Sequence, residues 1–212
     1  TYLVGRDPEI AVMRPPEVAK LILNFFGIID VINFVPTLIR NAISGPTAAE
    51  KTFVPQSEWG KVQKVAVIHL SIYVVTIIAA VSWGSILPLM VIGLPRMYGA
   101  WHHVMTGLLQ HGGLADNVID HRLNSRTVYM NPISRFIYWN MNYHVEHHMF
   151  PMVPYHRLPE LHEDMKPYCP KPYASVFAAY REIIPALLRQ VREPGWTITR
   201  PIPAPRAAAT GQ

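Results

Sequence analysis

Cysteine is nearly absent from this sequence, since Cys169 is the only one among 212 residues. A single thiol excludes an internal disulfide and a metal site built from cysteines. Charged residues are also scarce: they make up 16% of the chain, while half of it is apolar. Such a chain is more apolar than most soluble domains but too polar to consist only of membrane spans. We therefore expect one domain that lies partly in a membrane and partly in water.

A dense basic run is missing too, although the formal net charge is +5. Nucleic-acid binding requires basic residues clustered on one face, so no nucleic-acid partner is expected. An excess of Lys and Arg is instead typical of the cytoplasmic face of a membrane protein. The sequence starts at Thr1 without a methionine or a signal-like segment, and it is interpreted as a fragment.

The clearest membrane signal is the run 65–82, eighteen residues without a formal charge. Its length approaches the ~20 residues with which a helix crosses the hydrocarbon core. Lys61 and Lys64 precede the run, which predicts that it starts on the cytoplasmic side. A second apolar run, 86–109, is interrupted at Pro95-Arg96 but is long enough to cross the membrane back to the cytoplasmic side. The two runs predict a transmembrane helical hairpin with both ends cytoplasmic.

The other segments complete an all-α prediction, in which interfacial helices and a cytoplasmic helical cap surround this integral membrane hairpin. Segment 21–39 contains Asp30 and Pro36, which make a membrane span costly, so it is predicted to lie along the interface; a packed core helix is the alternative. Segment 173–192 predicts an amphipathic cytoplasmic helix. We expect residues 1–193 to form the domain and residues 194–212, rich in Pro, Ala and Arg, to be a disordered tail.

Three histidines, His144, His147 and His148, have the spacing i, i+3 and i+4. On a helix they span roughly 100° of the circumference, so their imidazoles can converge on one point. Imidazole suits zinc, copper, iron and nickel, and three such ligands indicate a transition metal. A lone histidine in a helix is usually structural or solvated, but a cluster of three favours metal ligation.

The flanking residues predict a single helix of about five turns over 132–149. Asn131-Pro132 is a helix-start signal and Pro151 is a stop. Glu146 falls on the opposite side of this helix, near Arg135, and is expected to be solvated or in a surface salt bridge. The histidines of the apolar runs are expected to be packing or interfacial residues: His69, His102 and His103.

The run Asn-Met-Asn-Tyr-His-Val-Glu-His-His-Met-Phe-Pro at 140–151 resembles the third histidine box of the membrane fatty acid desaturase and hydroxylase family. It is similar to the bacterial branch that includes hydrocarbon oxygenases of the rhizopine-catabolism type. The resemblance extends from Gly5-Arg6-Asp7-Pro8-Glu9-Ile10 to about Pro172. It implies a multi-pass protein of the bacterial inner membrane with a non-haem di-iron centre on the cytoplasmic side. It also implies desaturation or hydroxylation of a lipid or acyl chain, with dioxygen as co-substrate and ferredoxin, rubredoxin or cytochrome b5 as electron donor.

Leu109-Gln110-His111 resembles the extra histidine that many desaturases place between their second and third boxes. The resemblance thus implies metal ligands at four positions: His111, His144, His147 and His148. His121 is an alternative for the extra ligand. The first two boxes of the family would precede Thr1, so we expect this segment alone not to assemble a stable di-iron centre.

Two further function classes remain open from the residues themselves. Three histidines and a water form a catalytic zinc site, which predicts a zinc-dependent membrane hydrolase. A non-catalytic membrane fragment without metal is the other class. Metal content separates these classes from the oxygenase.

Overall fold

The structure is a computed structural model, and it describes residue 10 and residues 13–203. The part of the family resemblance before Ile10 lies outside the described residues. The chain divides into two compact units, which we call the histidine unit (Thr1–Leu21 with Met105–Gln212) and the apolar unit (Ile22–Val104).

Helices dominate the described residues, where no strand occurs and only two isolated bridges join extended segments. The all-α prediction is therefore confirmed for this part of the chain. The helices are α1 Glu17–Leu23, α2 Ile28–Ser44, α3 Trp59–Ser82, α4 Leu87–Val91, α5 Pro95–Tyr98, α6 Ala100–His111, α7 Pro132–Ile137, α8 His144–Met149, α9 Leu158–Met165 and α10 Val176–Arg192.

The apolar unit is built around α2 and α3, which pack antiparallel. Gln63 of α3 donates from Nε2 to the carbonyl oxygens of Ala42 and Ile43, both at 3.1 Å. Further along the pair, the rings of Phe34 and His69 are 5.6 Å apart. His69 therefore contributes to helix packing, as the sequence predicts.

Helix α3 contains the whole uncharged run 65–82. The helical segment Gln56–Ser82 is the one continuous helix of the described residues that is long and apolar enough to cross a membrane. Only 11% of its most apolar window is buried, whereas the core helix of a soluble protein is mostly buried. A second candidate is the pair Glu17–Phe26 and Ile28–Ser44, which is bent by 87° at Gly27.

The predicted return span 86–109 is not one helix. It forms α4, α5 and the larger part of α6, and the interruption after α4 contains Gly93 at φ 102. Pro88 and Pro95 stand in the first turns of α4 and α5, where a missing N–H is tolerated, so each starts a new helix rather than continuing the last. Membrane crossing by this run stays a prediction.

The histidine unit has its core on one face of α10. Ala179 and Ile183 pack with Leu109 and Val128, and Ala186 packs with Leu114 and Ile198. Ser175 caps α10 by accepting from the amide of Ala178 at 3.1 Å. The amphipathic helix predicted for 173–192 is thus present as α10.

The tail differs from the predicted disorder over 194–212. Ile198 is buried, its amide donates to Gly113 O at 2.9 Å, and Trp196 packs beside it. Packing against Leu114 and Ala186 buries apolar surface, and this burial offsets the conformational entropy lost when the segment becomes ordered. The Pro-rich composition predicts that this entropy would keep the segment disordered. Residues 204–212 lie outside the described residues.

Candidate metal centre

The helix predicted for 132–149 is two helices, α7 and α8, separated by turns over residues 138–143. The predicted start is correct, because Asn131 Oδ1 accepts from the amide of Ser134 at 2.9 Å. The helix breaks at Trp139 and Asn140, both with φ 53, in the left-handed region that asparagine tolerates better than most residues. Asn140 is held there by Arg135, whose Nε donates to its Oδ1 at 3.2 Å.

A long-range contact explains why the break occurs here. Residues 124–129, which we call the strap, run beside the turn, and the amide of Val128 donates to Asn142 O at 2.9 Å. Asn142 Nδ2 in turn donates to Val128 O at 2.9 Å, and Tyr143 forms a bridge with Thr127. These bonds satisfy buried backbone groups that a continuous helix would leave unpaired. The chain therefore starts a new helix at His144.

Three imidazoles converge at the junction of α6 and α8. His144 Nε2 lies 2.9 Å from His111 Nε2 and 2.9 Å from His148 Nε2. These three residues form the group of the described chain in which one ligand atom from each lies within 4.8 Å of the others. The i, i+4 spacing of His144 and His148 is kept in α8, and the fold brings His111 to them from 33 residues away.

The strap determines which nitrogen of His111 faces the group. His111 Nδ1 is 2.8 Å from the carbonyl oxygen of Asn124. A carbonyl only accepts, so Nδ1 carries the proton, and a neutral ring then presents the Nε2 lone pair to His144. A backbone carbonyl bound to the distal nitrogen is the usual way of orienting a metal-ligating histidine.

His144 lies at the centre of the group and is buried. Burial, together with the neighbouring imidazoles of His111 and His148, lowers the pKa of His144 well below its ordinary value. Its ring is therefore neutral at physiological pH, as a metal ligand must be. His144 Nδ1 is also buried without a hydrogen-bond partner. Converging imidazole nitrogens of this kind fit a transition-metal ion such as iron or zinc.

Two other histidines named from the sequence, His147 and His121, lie beside this group. The His147 ring centroid is 5.7 Å from those of His144 and His148, and His147 is not part of the converging set. His121 lies against His148 with ring centroids 4.9 Å apart, and its Nδ1 is 3.2 Å from Asn124 Oδ1. Ligation by His111 or by His121 stays a prediction. His102 and His103 stand on α6, at least two turns before His111.

The prediction that Glu146 is solvated or in a surface salt bridge is wrong, because Glu146 is fully buried. Its Oε2 accepts from Thr127 Oγ1 at 2.5 Å, and its Oε1 lies 2.6 Å from His162 Nδ1. His162 Nε2 lies 3.1 Å from the hydroxyl of Tyr129. Once α8 is separated from α7, the face opposite the histidines meets the strap and α9 instead of water. Glu146 thus anchors α8 from the side away from the metal group.

Sequence reasoning missed the residues that hold this site in place, Asn124, Thr127 and His162. No short motif marks them, since each acts through a partner at least 13 residues away. The polar run from Asn124 to Thr127 between two helices was the available signal, because buried polar residues need partners.

Comparison with known proteins adds one finding to this geometry. The family model for fatty acid desaturases matches residues 1–180, which include α6, the strap, α8 and α9. No match was found among curated proteins or among solved structures.

Proposed function

This chain belongs to the fatty acid desaturase family, and from that premise we propose that it is a membrane di-iron oxygenase acting on unactivated C–H bonds of a lipid or hydrocarbon chain. The observation that carries the proposal is the convergence of His111, His144 and His148, in which His144 Nε2 lies 2.9 Å from Nε2 of each of the other two. His144 and His148 belong to the run that resembles the family's third histidine box.

Iron bound by such ligands supplies the oxygen activation that ordinary acid–base side chains cannot. Desaturation removes one hydrogen from each of two adjacent carbons, and dioxygen is reduced to two waters with two electrons and two protons from an external donor. Hydroxylation places one oxygen atom in the C–H bond and releases one water. Both need a reduced carrier such as ferredoxin, rubredoxin or cytochrome b5, which we propose as the partner.

The protein's own residues orient the metal-ligating histidines and hold α8 in place. The Asn124 carbonyl keeps the Nδ1 proton of His111 away from the group, so that Nε2 offers a lone pair. Burial keeps His144 neutral. Glu146 fixes α8 against the strap through Thr127, and this bond prevents the two α8 histidines from turning away from His111.

His147 is proposed as a ligand of the second iron. It is outside the converging group, yet its ring is 5.7 Å from that of His144, so one helix serves two neighbouring metal positions. His121 beside His148 is the alternative for the extra histidine ligand. The remaining ligands would come from other histidine boxes of the family.

We further propose an integral, multi-pass location in a bacterial inner membrane, with the metal group on the cytoplasmic side. Helix α3 supports a membrane location, because it is long, apolar and mostly unburied. Lys61 and Lys64 at its start support the cytoplasmic orientation. Membership in the branch similar to the rhizopine-catabolism oxygenases belongs to the same proposal.

Metal analysis of the protein purified from membranes tests this function. In a chain that also carries the family's other histidine boxes, we expect two irons per protein and oxygen-dependent loss of hydrogen from an acyl lipid when a reduced ferredoxin is supplied; residues 1–212 alone should do neither. His144→Ala should abolish both, whereas His156→Ala, an exposed histidine outside the group, should change neither. One zinc together with hydrolysis of an ester would instead establish the hydrolase, and a protein without bound metal would establish a non-catalytic role.

A further inference from the structure

Helix α10 has two apolar faces. One face, with Ala179, Ile183 and Ala186, is buried in the core of the histidine unit. The other carries four large apolar side chains that are 56–73% exposed: Phe177, Ile184, Leu188 and Val191. Because each residue turns the helix by about 100°, these four fall within about 60° of its circumference and form one stripe about 21 Å long, which we call the outer stripe. A continuous exposed apolar surface of this length indicates a binding surface, unlike apolar residues that are scattered singly.

Arginines border the outer stripe on one side. Arg181 and Arg192 are exposed and lie within about 70° of its midline. The acidic residues of this region are engaged elsewhere: Glu182 accepts a hydrogen bond from a tyrosine hydroxyl, and Glu193 Oε2 lies 3.0 Å from Arg189 Nη2. Among the described residues, neither Arg181 nor Arg192 has an acidic partner. The border of the outer stripe therefore carries positive charge that is not neutralised.

These charges argue against a second copy of this chain as the occupant of the outer stripe. In a parallel pair of α10 helices, Arg181 would face its own counterpart. In an antiparallel pair with Ile184 against Leu188, Arg181 would face Val191 and lie beside Arg192 of the other copy. Both arrangements bring like charges together, which is costly at an interface. An apolar stripe bordered by arginine instead matches a membrane that contains anionic phospholipids, since this layer is apolar inside and negatively charged at its surface.

The packing of α10 within the histidine unit is consistent with a place at the membrane surface. Tyr180 donates from its hydroxyl to Met105 O at 2.5 Å, and Ile183 packs with Leu109. Met105 and Leu109 belong to the last turns of the apolar run 86–109, whose end is predicted to reach the cytoplasmic side. Helix α10 therefore packs beside the residues with which this run is predicted to leave the membrane.

We propose that α10 docks along the cytoplasmic surface of the membrane, with the outer stripe among the lipid headgroups and the first acyl carbons. Arg181 and Arg192 then bind the phosphate groups of anionic lipids, which their long stems can reach from the edge of the apolar layer. Most of α10 follows residue 180, where the family match ends, so the docking is not a property that this match supplies. It rests on the proposed membrane location, but it requires neither iron nor the oxygenase chemistry.

Fluorescence quenching of the metal-free full chain in lipid nanodiscs tests the docking. A single environment-sensitive dye is attached to Leu188→Cys in a Cys169→Ala background, and nitroxide-labelled phospholipid is the quencher. The nanodiscs contain either phosphatidylcholine alone or phosphatidylcholine and phosphatidylglycerol in equal parts. We expect strong quenching at Leu188 in the anionic nanodiscs. The same dye on Arg189→Cys, about 130° from the midline of the outer stripe, should be quenched several-fold less.

A dye on Ile77→Cys, within α3, separates the docking from the membrane location on which it rests. Quenching at Ile77 without quenching at Leu188 would refute the docking and leave the membrane location standing. The absence of quenching at both positions would refute both proposals. Metal content and turnover do not enter this measurement, so a failure of the oxygenase proposal would not change its outcome.

Charge variants test the contact with anionic lipid. Arg181→Gln combined with Arg192→Gln should lower the ratio of docked to undocked protein in anionic nanodiscs by roughly 25-fold, about fivefold for each arginine. Arg157→Gln removes an equal charge outside α10, from an exposed residue that pairs with Glu160, and it should leave the ratio unchanged.

Two further results would overturn the proposal. Equal quenching at Leu188 with and without phosphatidylglycerol in the unsubstituted protein would show that the arginines do not bind anionic lipid. A dye at Leu188 that is shielded from water but not quenched by labelled lipid, together with dimers captured by cross-linking, would show that a second copy of the chain covers the outer stripe.

Discussion

Replacing Glu146 by alanine tests whether a buried carboxylate on the side of α8 opposite the metal group holds this helix in place. Glu146 is fully buried and accepts from Thr127 Oγ1 at 2.5 Å, with His162 Nδ1 at 2.6 Å. The substitution leaves the Thr127 hydroxyl and the His162 ring nitrogen buried without a partner. Each unsatisfied group costs about 1–3 kcal/mol. We therefore expect the free energy of unfolding to fall by roughly 2–5 kcal/mol, a large part of the stability of a typical domain.

Chemical unfolding of the metal-free protein in detergent measures this change without interference from metal binding. A double-mutant cycle isolates the contact: Thr127→Val removes one donor, and combined with Glu146→Ala it should cost less than the sum of the two single changes by about 0.5–3 kcal/mol. The matched control is Glu163→Ala on α9, because that carboxylate is 67% exposed and pairs with the exposed Lys166. Exposed pairs contribute about 0–1 kcal/mol.

Two results would refute this reasoning. If Glu146→Ala unfolds within about 0.5 kcal/mol of the unsubstituted protein, as surface substitutions do, the carboxylate is not buried in the way the structure shows. If the effects of Glu146→Ala and Thr127→Val simply add, the two side chains are not coupled, and α8 is held by other contacts.

Three further predictions follow from other contacts. Glu182→Gln should lower the free energy of unfolding by about 1–3 kcal/mol, because it removes the carboxylate charge that lies 3.8 Å from the buried Arg126 guanidinium; an unchanged unfolding curve would show that Arg126 is neutralised otherwise. Asn142→Leu should lower both stability and iron content, since it removes the hydrogen bond from Asn142 Nδ2 to Val128 O that fixes where α8 begins; normal iron content would contradict this. A cysteine at Ser85, placed after α3, should resist labelling from the cytoplasmic side, and rapid labelling there with extraction by alkaline carbonate would rule out a membrane-spanning α3.

The relation between sequence and structure differs from element to element. The uncharged run 65–82 predicts a helix correctly, because eighteen mostly apolar residues without Gly or Pro satisfy their backbone polar groups as a helix in apolar surroundings. The cap at Asn131 and the i, i+4 pair of His144 and His148 are equally local, since each depends on neighbours within one turn. Local hydrogen bonds and helical spacing therefore suffice to predict α3 and the histidines of α8.

What the sequence alone determined, then, is that His144 and His148 share one helical face and that a long apolar helix precedes them. The tertiary structure decided the rest of the site. The strap breaks the helix over 138–143 because Val128 and Asn142 satisfy each other's buried polar groups. The stabilisation from these long-range hydrogen bonds cannot be predicted from the local sequence. Other residues of the strap bind the buried Glu146 through Thr127 and His111 through Asn124. Periodicity cannot predict partners 14 to 33 residues apart, because which polar groups lose water is known only once the chain has packed.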